Sequence, residues 1–163
     1  MKIFISHKKE DESTALDVQQ TLSDEGVNAY LDLLDNSIAN DGEKLTKHIR
    51  KKLGECTDVI VVLSEKTKES WWVPFEIGMA TEKDMPIANY ILNYEFLPEY
   101  LEYWPRLKDQ QDVKKYVEAR NKVKREILLE KTLDRNVYYE NINMAKSELS
   151  ETQRFYAELK KML

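Results

Sequence analysis

The sequence predicts an α/β fold in which a mainly parallel sheet lies between two layers of helices. Strand-like and helix-like segments alternate over residues 2–92, a pattern typical of parallel strands joined by helical crossovers. Residues 58–64 are continuously apolar between polar ends, as in a strand buried on both faces. The length of 163 residues is that of one domain. We therefore expect a single domain, with an α/β core over about residues 1–107 and a helical C-terminal extension over about residues 108–163.

Hydrophobic periodicity predicts the individual elements. Apolar, β-prone runs predict strands over residues 2–6, 27–31, 58–64 and 86–92, with the third at the centre of the sheet. Apolar residues three or four apart predict helices over residues 11–25, 44–56, 71–83 and 112–133, and from residue 150 onward. Ser70 is the predicted cap of the third helix, and Ser150 with Gln153 forms a capping box for the last. The outline is that of a flavodoxin-like three-layer fold.

Composition and charge argue against several classes of protein. The net charge of −5 disfavours binding to the phosphate backbone of nucleic acids. No apolar run approaches the ~20 residues that cross a bilayer, and the apolar stretch at the N-terminus is too short for an export signal. Cys56, His7 and His48 are too few for a zinc site or an internal disulfide. We therefore expect a reduced, cytoplasmic protein that binds no metal, nucleic acid or membrane.

The segment from Ser70 to Glu76 is the strongest candidate for a functional site. On a helix, Trp72 and Glu76 are four residues apart and are therefore neighbours on one face. The segment follows the predicted central strand, which places the start of the helix at the carboxyl edge of the sheet, where open α/β folds bind ligands. Spacing alone is also consistent with an ordinary exposed glutamate beside core tryptophans.

Further polar residues follow the first two predicted strands. Ser6, His7, Lys8 and Lys9 come after the first, and Asp32 comes after the second. Because these positions share the carboxyl edge with Glu76, cations and hydroxyls are expected to face one crevice, which suits an anionic, sugar-bearing ligand. The alternatives are solvated loop charges for the two lysines and an ordinary loop residue for the histidine.

The remaining charged and aromatic stretches have simpler interpretations. The basic residues within 44–52 and 114–125 are predicted to lie on the solvent faces of helices. The aromatic residues within 95–107 are predicted to lie in the core or in an interface. Neither group is assigned to a binding site.

Three short motifs follow one another along the chain. Residues 2–7 (KIFISH) form the first, residues 27–32 (VNAYLD) the second, and residues 70–76 (SWWVPFE) the third. Together they resemble the first strand, the second strand entering the BB loop, and the Ser-x-Trp-Cys-x-x-Glu motif of the TIR (Toll/interleukin-1 receptor) domain family, chiefly its bacterial members. Val73 replaces the cysteine of that pattern, and the irregular residues 33–43 correspond to the BB loop.

The resemblance implies an NAD+ glycohydrolase or cyclase whose essential glutamate is Glu76. It implies that Trp72 lines the pocket for nicotinamide and ribose, that Tyr30 stands before the BB loop, and that Lys8 and Lys9 meet the pyrophosphate. NAD+ is then the substrate, and no cofactor is expected. Self-association through TIR–TIR contacts is also implied. A bacterial domain of this size resembles the TIR component of Thoeris-like anti-phage systems, where a nucleotide signal reaches a separate effector protein.

Two other functions stay open on the sequence. TIR domains that lack the glutamate serve as non-catalytic interaction modules, and Glu76 with Trp72 favours the enzyme over that alternative. A nucleoside deoxyribosyltransferase-like enzyme would use a glutamate in a related α/β fold on a different N-glycoside. A phosphorelay receiver is disfavoured because Leu63 and Ser64 end the central strand where its acceptor aspartate belongs. The product is left open between linear ADP-ribose, a cyclic isomer and a base-exchanged nucleotide.

Overall fold

The computed structural model describes residues 1–31, 41–92, 98–133 and 149–163. Its strands are β1 Lys2–Ser6, β2 Asn28–Leu31, β3 Asp58–Leu63, β4 Ile87–Ile91 and β5 Arg106–Leu107. They form one parallel sheet in the order β2-β1-β3-β4-β5, with β3 at the centre. The predicted α/β fold class, with helices flanking a parallel sheet, is therefore confirmed.

The described helices follow the strands in the alternation that the sequence predicts. They are α1 Glu12–Asp24, α2 Gly42–Gly54, α3 Trp72–Glu82, α4 Glu99–Glu102, α5 Gln110–Leu133 and α6 Glu151–Met162. Short 3-10 turns, Lys9–Asp11 and Glu65–Glu69, follow the carboxyl ends of β1 and β3. Within the described ranges, no helix is long and apolar enough to cross a bilayer.

Two apolar clusters cover the two faces of the sheet. On one face, Val18 of α1, Tyr116 of α5 and Phe155 of α6 are packed into a single buried cluster. On the other face, Leu53 of α2 and Ile77 of α3 belong to the second cluster. Because both faces are covered, β3 is buried along its whole length, as its continuous apolar run predicts.

Local hydrogen bonds set the starts of the two helices whose caps the sequence indicates. The Ser70 hydroxyl accepts a hydrogen bond from the Val73 amide at 3.2 Å, and Pro74 lies in the first turn of α3. At the start of α6, the backbone N–H of Gln153 donates a hydrogen bond to the Ser150 hydroxyl at 3.2 Å. The Gln153 side-chain oxygen accepts from the Ser150 amide at 2.9 Å, so the predicted capping box is present.

The prediction of a solvent-exposed basic face over residues 114–125 is wrong for Arg120. Its side chain is buried at the amino edge of the sheet, where its Nε lies 2.6 Å from Oδ1 of the fully buried Asp58. Tyr116 donates its hydroxyl to the same oxygen at 3.0 Å. A buried arginine is tolerated here because a buried carboxylate neutralises it and accepts its hydrogen bonds.

The aromatic residues of the segment before β5 divide between core and surface. Trp104 packs against the cluster on the α2–α3 face. Tyr103 and Tyr100 lie outside the core, with 79% and 49% of their surfaces exposed. β5 itself was not predicted, because two residues are too few to show an alternating pattern.

Candidate active site

Glu76 is placed at the carboxyl edge of the sheet, on the buried face of α3. It is the fifth residue of that helix, whose other buried residues are Val73, Ile77 and Ala80. Only 4% of Glu76 is exposed. A carboxylate in such surroundings needs a polar partner. Ser6, the last residue of β1, donates its hydroxyl to Glu76 Oε2.

This arrangement excludes the simpler interpretation of the Ser70–Glu76 segment, in which an exposed glutamate lies beside core tryptophans. Glu76 is not an ordinary exposed side chain, and Trp71 is not a core residue, because 90% of its surface is exposed. Trp72 is half-buried and makes an edge-to-face contact with Phe75, with ring centroids 5.8 Å apart. The helix therefore presents aromatic surface close to a buried carboxylate.

Tyr30 lies on β2 directly beside Phe4 of β1, on the face of the sheet that α2 covers. The two ring centroids are 5.6 Å apart. The Tyr30 hydroxyl oxygen is 2.9 Å from His48 Nε2, and Lys52 Nζ lies 5.0 Å from the Tyr30 ring centroid. These contacts hold the ring against α2. Asp32, which follows β2, lies outside the described residues.

The basic residues after β1 have different surroundings. Lys8 Nζ lies 3.3 Å from Glu69 Oε2 and 3.4 Å from Glu10 Oε1, and 19% of its side chain is exposed. Desolvation lowers the pKa of Lys8, but the two carboxylates outweigh it, so its net pKa lies above the usual value. Lys9 is exposed in the adjoining 3-10 turn, and His7, beside Ser6, is half-buried. Lys8 thus lies in an ion-pair cluster, whereas Lys9 faces solvent.

A second buried carboxylate, not identified from the sequence, joins the loops that follow β1 and β3. Asp11 is 5% exposed, and its Oδ2 accepts a hydrogen bond from the Ser64 hydroxyl at 2.7 Å. Ser64 and Thr67 also form a capping box for the 3-10 turn. The Ser-x-x-Thr spacing was the available signal for this turn. The contact fixes the loop carrying Lys8 to the segment leading into α3.

Other chemistry in the described part of the chain is limited. Burial raises the pKa of the Cys56 thiol, which makes it a poor nucleophile. Among the residues that the structure describes, no group of three or more potential ligands could hold a metal ion. A groove of about 870 Å³ lies near the amino end of β4, where Tyr100, Tyr103 and Tyr156 line it. That groove contains none of the predicted site residues.

Comparisons with known proteins identify a family and a fold. A family model described as "TIR domain" matches residues 3–131, and no curated protein matches the sequence. The TIR domain of the Toll-related receptor TRR-2 from Hydra magnipapillata is 14% identical, with a TM-score of 0.55, and the alignment covers 67% of this chain and 86% of that one.

Two solved enzyme structures are also similar. A 2-deoxyribosyltransferase from Bacillus psychrosaccharolyticus is 13% identical, with a TM-score of 0.59 and coverage of 69% of this chain and 90% of that one. The CMP N-glycosidase BcmB of Clostridium botulinum is 16% identical, with a TM-score of 0.50 and coverage of 68% and 92%. At such low identity these likenesses show a shared fold.

Proposed function

The chain belongs to the TIR domain family, whose model spans most of its length, and from this premise we propose that it cleaves the nicotinamide–ribose bond of NAD+. The observation that carries the proposal is Glu76, a buried carboxylate held at the carboxyl edge of the sheet. It stands at the position that the family motif gives to the essential glutamate of its catalytic members. Non-catalytic members commonly lack this glutamate, so its presence favours the enzyme over the interaction module.

One carboxylate is chemically sufficient for this reaction. The nicotinamide of NAD+ is bonded through a cationic ring nitrogen, so it leaves as a neutral molecule and needs no proton donor. The ribose develops oxocarbenium character, which a fixed negative charge stabilises. Glu76 supplies that charge in a largely desolvated position, where electrostatic stabilisation is stronger than in water. The ionised carboxylate can also accept hydrogen bonds from ribose hydroxyls.

The other site residues are proposed from the resemblance to the family and, for those that the structure describes, from their places around this edge. Trp72 lines the nicotinamide and ribose pocket, and its half-buried ring offers the apolar surface for it. Lys8 and Lys9 contact the pyrophosphate. His7, Tyr30 and Asp32 complete the proposed binding set. Ser6, also predicted to contact the ligand, donates its hydroxyl to Glu76.

A second candidate is a nucleoside deoxyribosyltransferase-like activity. The observation that favours it is the fold shared with the 2-deoxyribosyltransferase, to which the alignment covers 69% of this chain. Both candidates use a carboxylate on an N-glycosidic bond and differ in the substrate. Assays with NAD+ and with deoxynucleosides, run side by side, separate them.

We further propose a role in bacterial anti-phage defence, as the TIR component of a Thoeris-like system. In that role the product, ADP-ribose or a cyclic ADP-ribose-type nucleotide, acts as a signal to a separate effector protein. The proposal is supported by the family membership and by the site at Glu76.

Mass spectrometry of the products from purified protein and millimolar NAD+ tests the proposed reaction directly. We expect free nicotinamide together with either ADP-ribose or a cyclic isomer of it. Conversion of deoxynucleosides with no loss of NAD+ would instead establish the second candidate. No consumption of either substrate, by protein shown to be assembled, would establish the interaction module.

Turnover per subunit is expected to rise with protein concentration. The BB loop, about residues 33–43, is proposed to pack against a neighbouring copy and to complete the NAD+ site. Residues 33–40 of this loop lie outside the described residues. Initial rates measured from nanomolar to micromolar protein, with light scattering on the same samples, check this prediction. Strict proportionality between rate and concentration in a monomeric protein would contradict it.

Replacing Glu69 with Gln is expected to lower the KM for NAD+ by about two- to fivefold, with kcat unchanged. Glu69 pairs with Lys8 and must give way if that ammonium is to bind pyrophosphate. Its side chain is 81% exposed, so solvent screens the ion pair and the effect on the KM is small.

Steady-state kinetics of Glu69→Gln beside Glu82→Gln measure this effect. Glu82 is an exposed residue at the end of α3, away from Lys8. Glu82→Gln removes the same charge as Glu69→Gln, so it should leave the KM unchanged. A KM that rises, or that falls equally in both variants, would show that Glu69 does not compete for Lys8.

A further inference from the structure

The hydrogen bond between Ser6 and Glu76 joins two elements that are far apart in the sequence. The residues are separated by 70 positions, and both are buried. Ser6 has no exposed surface, so its hydroxyl faces the carboxylate of Glu76 and not the solvent from which a ligand would enter. A role in substrate contact therefore does not fit this position.

Ser6 is held more firmly than the side chain it contacts. It is the last residue of β1, an inner strand of the sheet, and its backbone pairs with Val61 of the central strand β3. The helix α3 fixes the Cα of Glu76, but the terminal torsion of a glutamate is broad and has no sharp preference of its own. A donor on a rigid strand removes that freedom, because it binds one particular carboxylate oxygen.

We propose that Ser6 is a positioning residue, whose hydroxyl orients the Glu76 carboxylate toward the reacting ribose carbon. The inference rests on the proposed NAD+ cleavage and gives Ser6 no contact with the substrate. With Oε2 bound to Ser6, the plane of the carboxylate is set before NAD+ enters. The orientation then costs nothing during the reaction, which is how preorganised groups lower a barrier.

The neighbouring strand provides a matched control. Ser64 directly follows β3 and donates its hydroxyl to the buried carboxylate of Asp11 at 2.7 Å. The two serines occupy the same edge of the sheet and make the same type of bond. They differ in the carboxylate that they hold, since Asp11 is not assigned to the reaction. Ser6→Ala and Ser64→Ala should both lower stability. Only Ser6→Ala should lower kcat.

The experiment compares Ser6→Ala, Ser64→Ala, Glu76→Gln and the double variant Ser6→Ala/Glu76→Gln at one protein concentration. For Ser6→Ala we expect kcat to fall about 10- to 100-fold with the KM within about twofold, because a misplaced catalytic group costs up to about 10²-fold in rate. Ser64→Ala should retain kcat, and kcat alone serves as the control, because the Ser64–Asp11 contact fixes the loop carrying Lys8 and its loss is expected to raise the KM. The double variant should be no slower than Glu76→Gln, because a residue that acts through Glu76 has no further effect once its charge is gone.

Each result supports or overturns the proposal. An unchanged kcat in Ser6→Ala, a raised KM with normal kcat, or an equal loss in Ser64→Ala would overturn it while leaving Glu76 in place. If the wild type cleaves no NAD+ when assembled, the proposed function fails and this inference fails with it. Should Ser6→Ala not fold, Ser6→Cys decides: its thiol is close to serine in shape but is a weak donor, so kcat should still fall.

Discussion

Replacing Glu76 with Gln is expected to reduce NAD+ cleavage by at least about 10²–10³-fold while leaving the fold intact. Glutamine has the shape of glutamate and can still accept the hydrogen bond from Ser6. It lacks the negative charge that offsets the oxocarbenium character of the ribose. The loss should therefore appear in kcat, and it is measured as nicotinamide released from NAD+ under assembling conditions.

Two measurements distinguish lost chemistry from a lost fold. The thermal unfolding midpoint and the self-association of Glu76→Gln should match those of the wild type, because glutamine keeps the shape of the side chain and the hydrogen bond from Ser6. Glu82→Gln, on the exposed end of the same helix, should keep the wild-type rate. If Glu76→Gln consumes NAD+ as fast as the wild type, the assigned site is wrong.

Replacing Arg120 with Ala is expected to lower the free energy of unfolding by about 3–5 kcal/mol. The substitution leaves the carboxylate of Asp58, fully buried at the amino edge, without its cation. Burial first, and the Asp58 charge second, hold the pKa of Tyr116 well above its usual value, so that hydroxyl stays neutral and cannot replace the arginine. The side chain of Arg120 also packs over Phe155, with Cζ 5.1 Å from the ring centroid.

Denaturant unfolding of Arg120→Ala and Arg125→Ala measures this effect. Arg125 lies on the same helix, but its side chain is exposed, so its removal should change stability by no more than about 0.5 kcal/mol. Adding Asp58→Asn to Arg120→Ala should recover part of the loss by removing the unpaired charge. Equal stability of the two single variants would show that the buried ion pair does not hold the C-terminal helices to the sheet. The ion pair between Arg120 and Glu151 contributes only a small part of this stability, because the Glu151 carboxylate is 46% exposed.

Much of the fold could be predicted from local patterns. The buried strand predicted from the apolar run of β3 and the capping box predicted at Ser150 are both present in the structure. Both features depend on residues within a few positions of one another. Their hydrophobic pattern and capping residues can therefore be recognised in the sequence alone. The candidate at Glu76 was likewise predicted, because its helix follows the central strand and so begins at the carboxyl edge.

Contacts between residues of different elements were not predictable in the same way. A basic residue among others on a charged helix is expected to be exposed to solvent. Arg120 is nevertheless only 3% exposed, because its helix packs over Asp58, 62 positions earlier. Two adjacent tryptophans look alike in the sequence, but Trp71 is 90% exposed whereas Trp72 is half-buried. Which residue is buried depends on the rotation of each helix against the sheet.

Local patterns in the sequence were sufficient for the order of the first four strands and of the helices other than α4, for the central place of β3 and for the position of Glu76 at the carboxyl edge. The hydrogen bond from Ser6 to Glu76, the ion pair between Glu69 and Lys8 and the burial of Glu76 all depend on tertiary packing. These contacts differ from the local features because hydrophobic periodicity shows only which face of an element is apolar. Partners from different elements are chosen by strand register and crossover packing, which bring together residues that no local pattern relates.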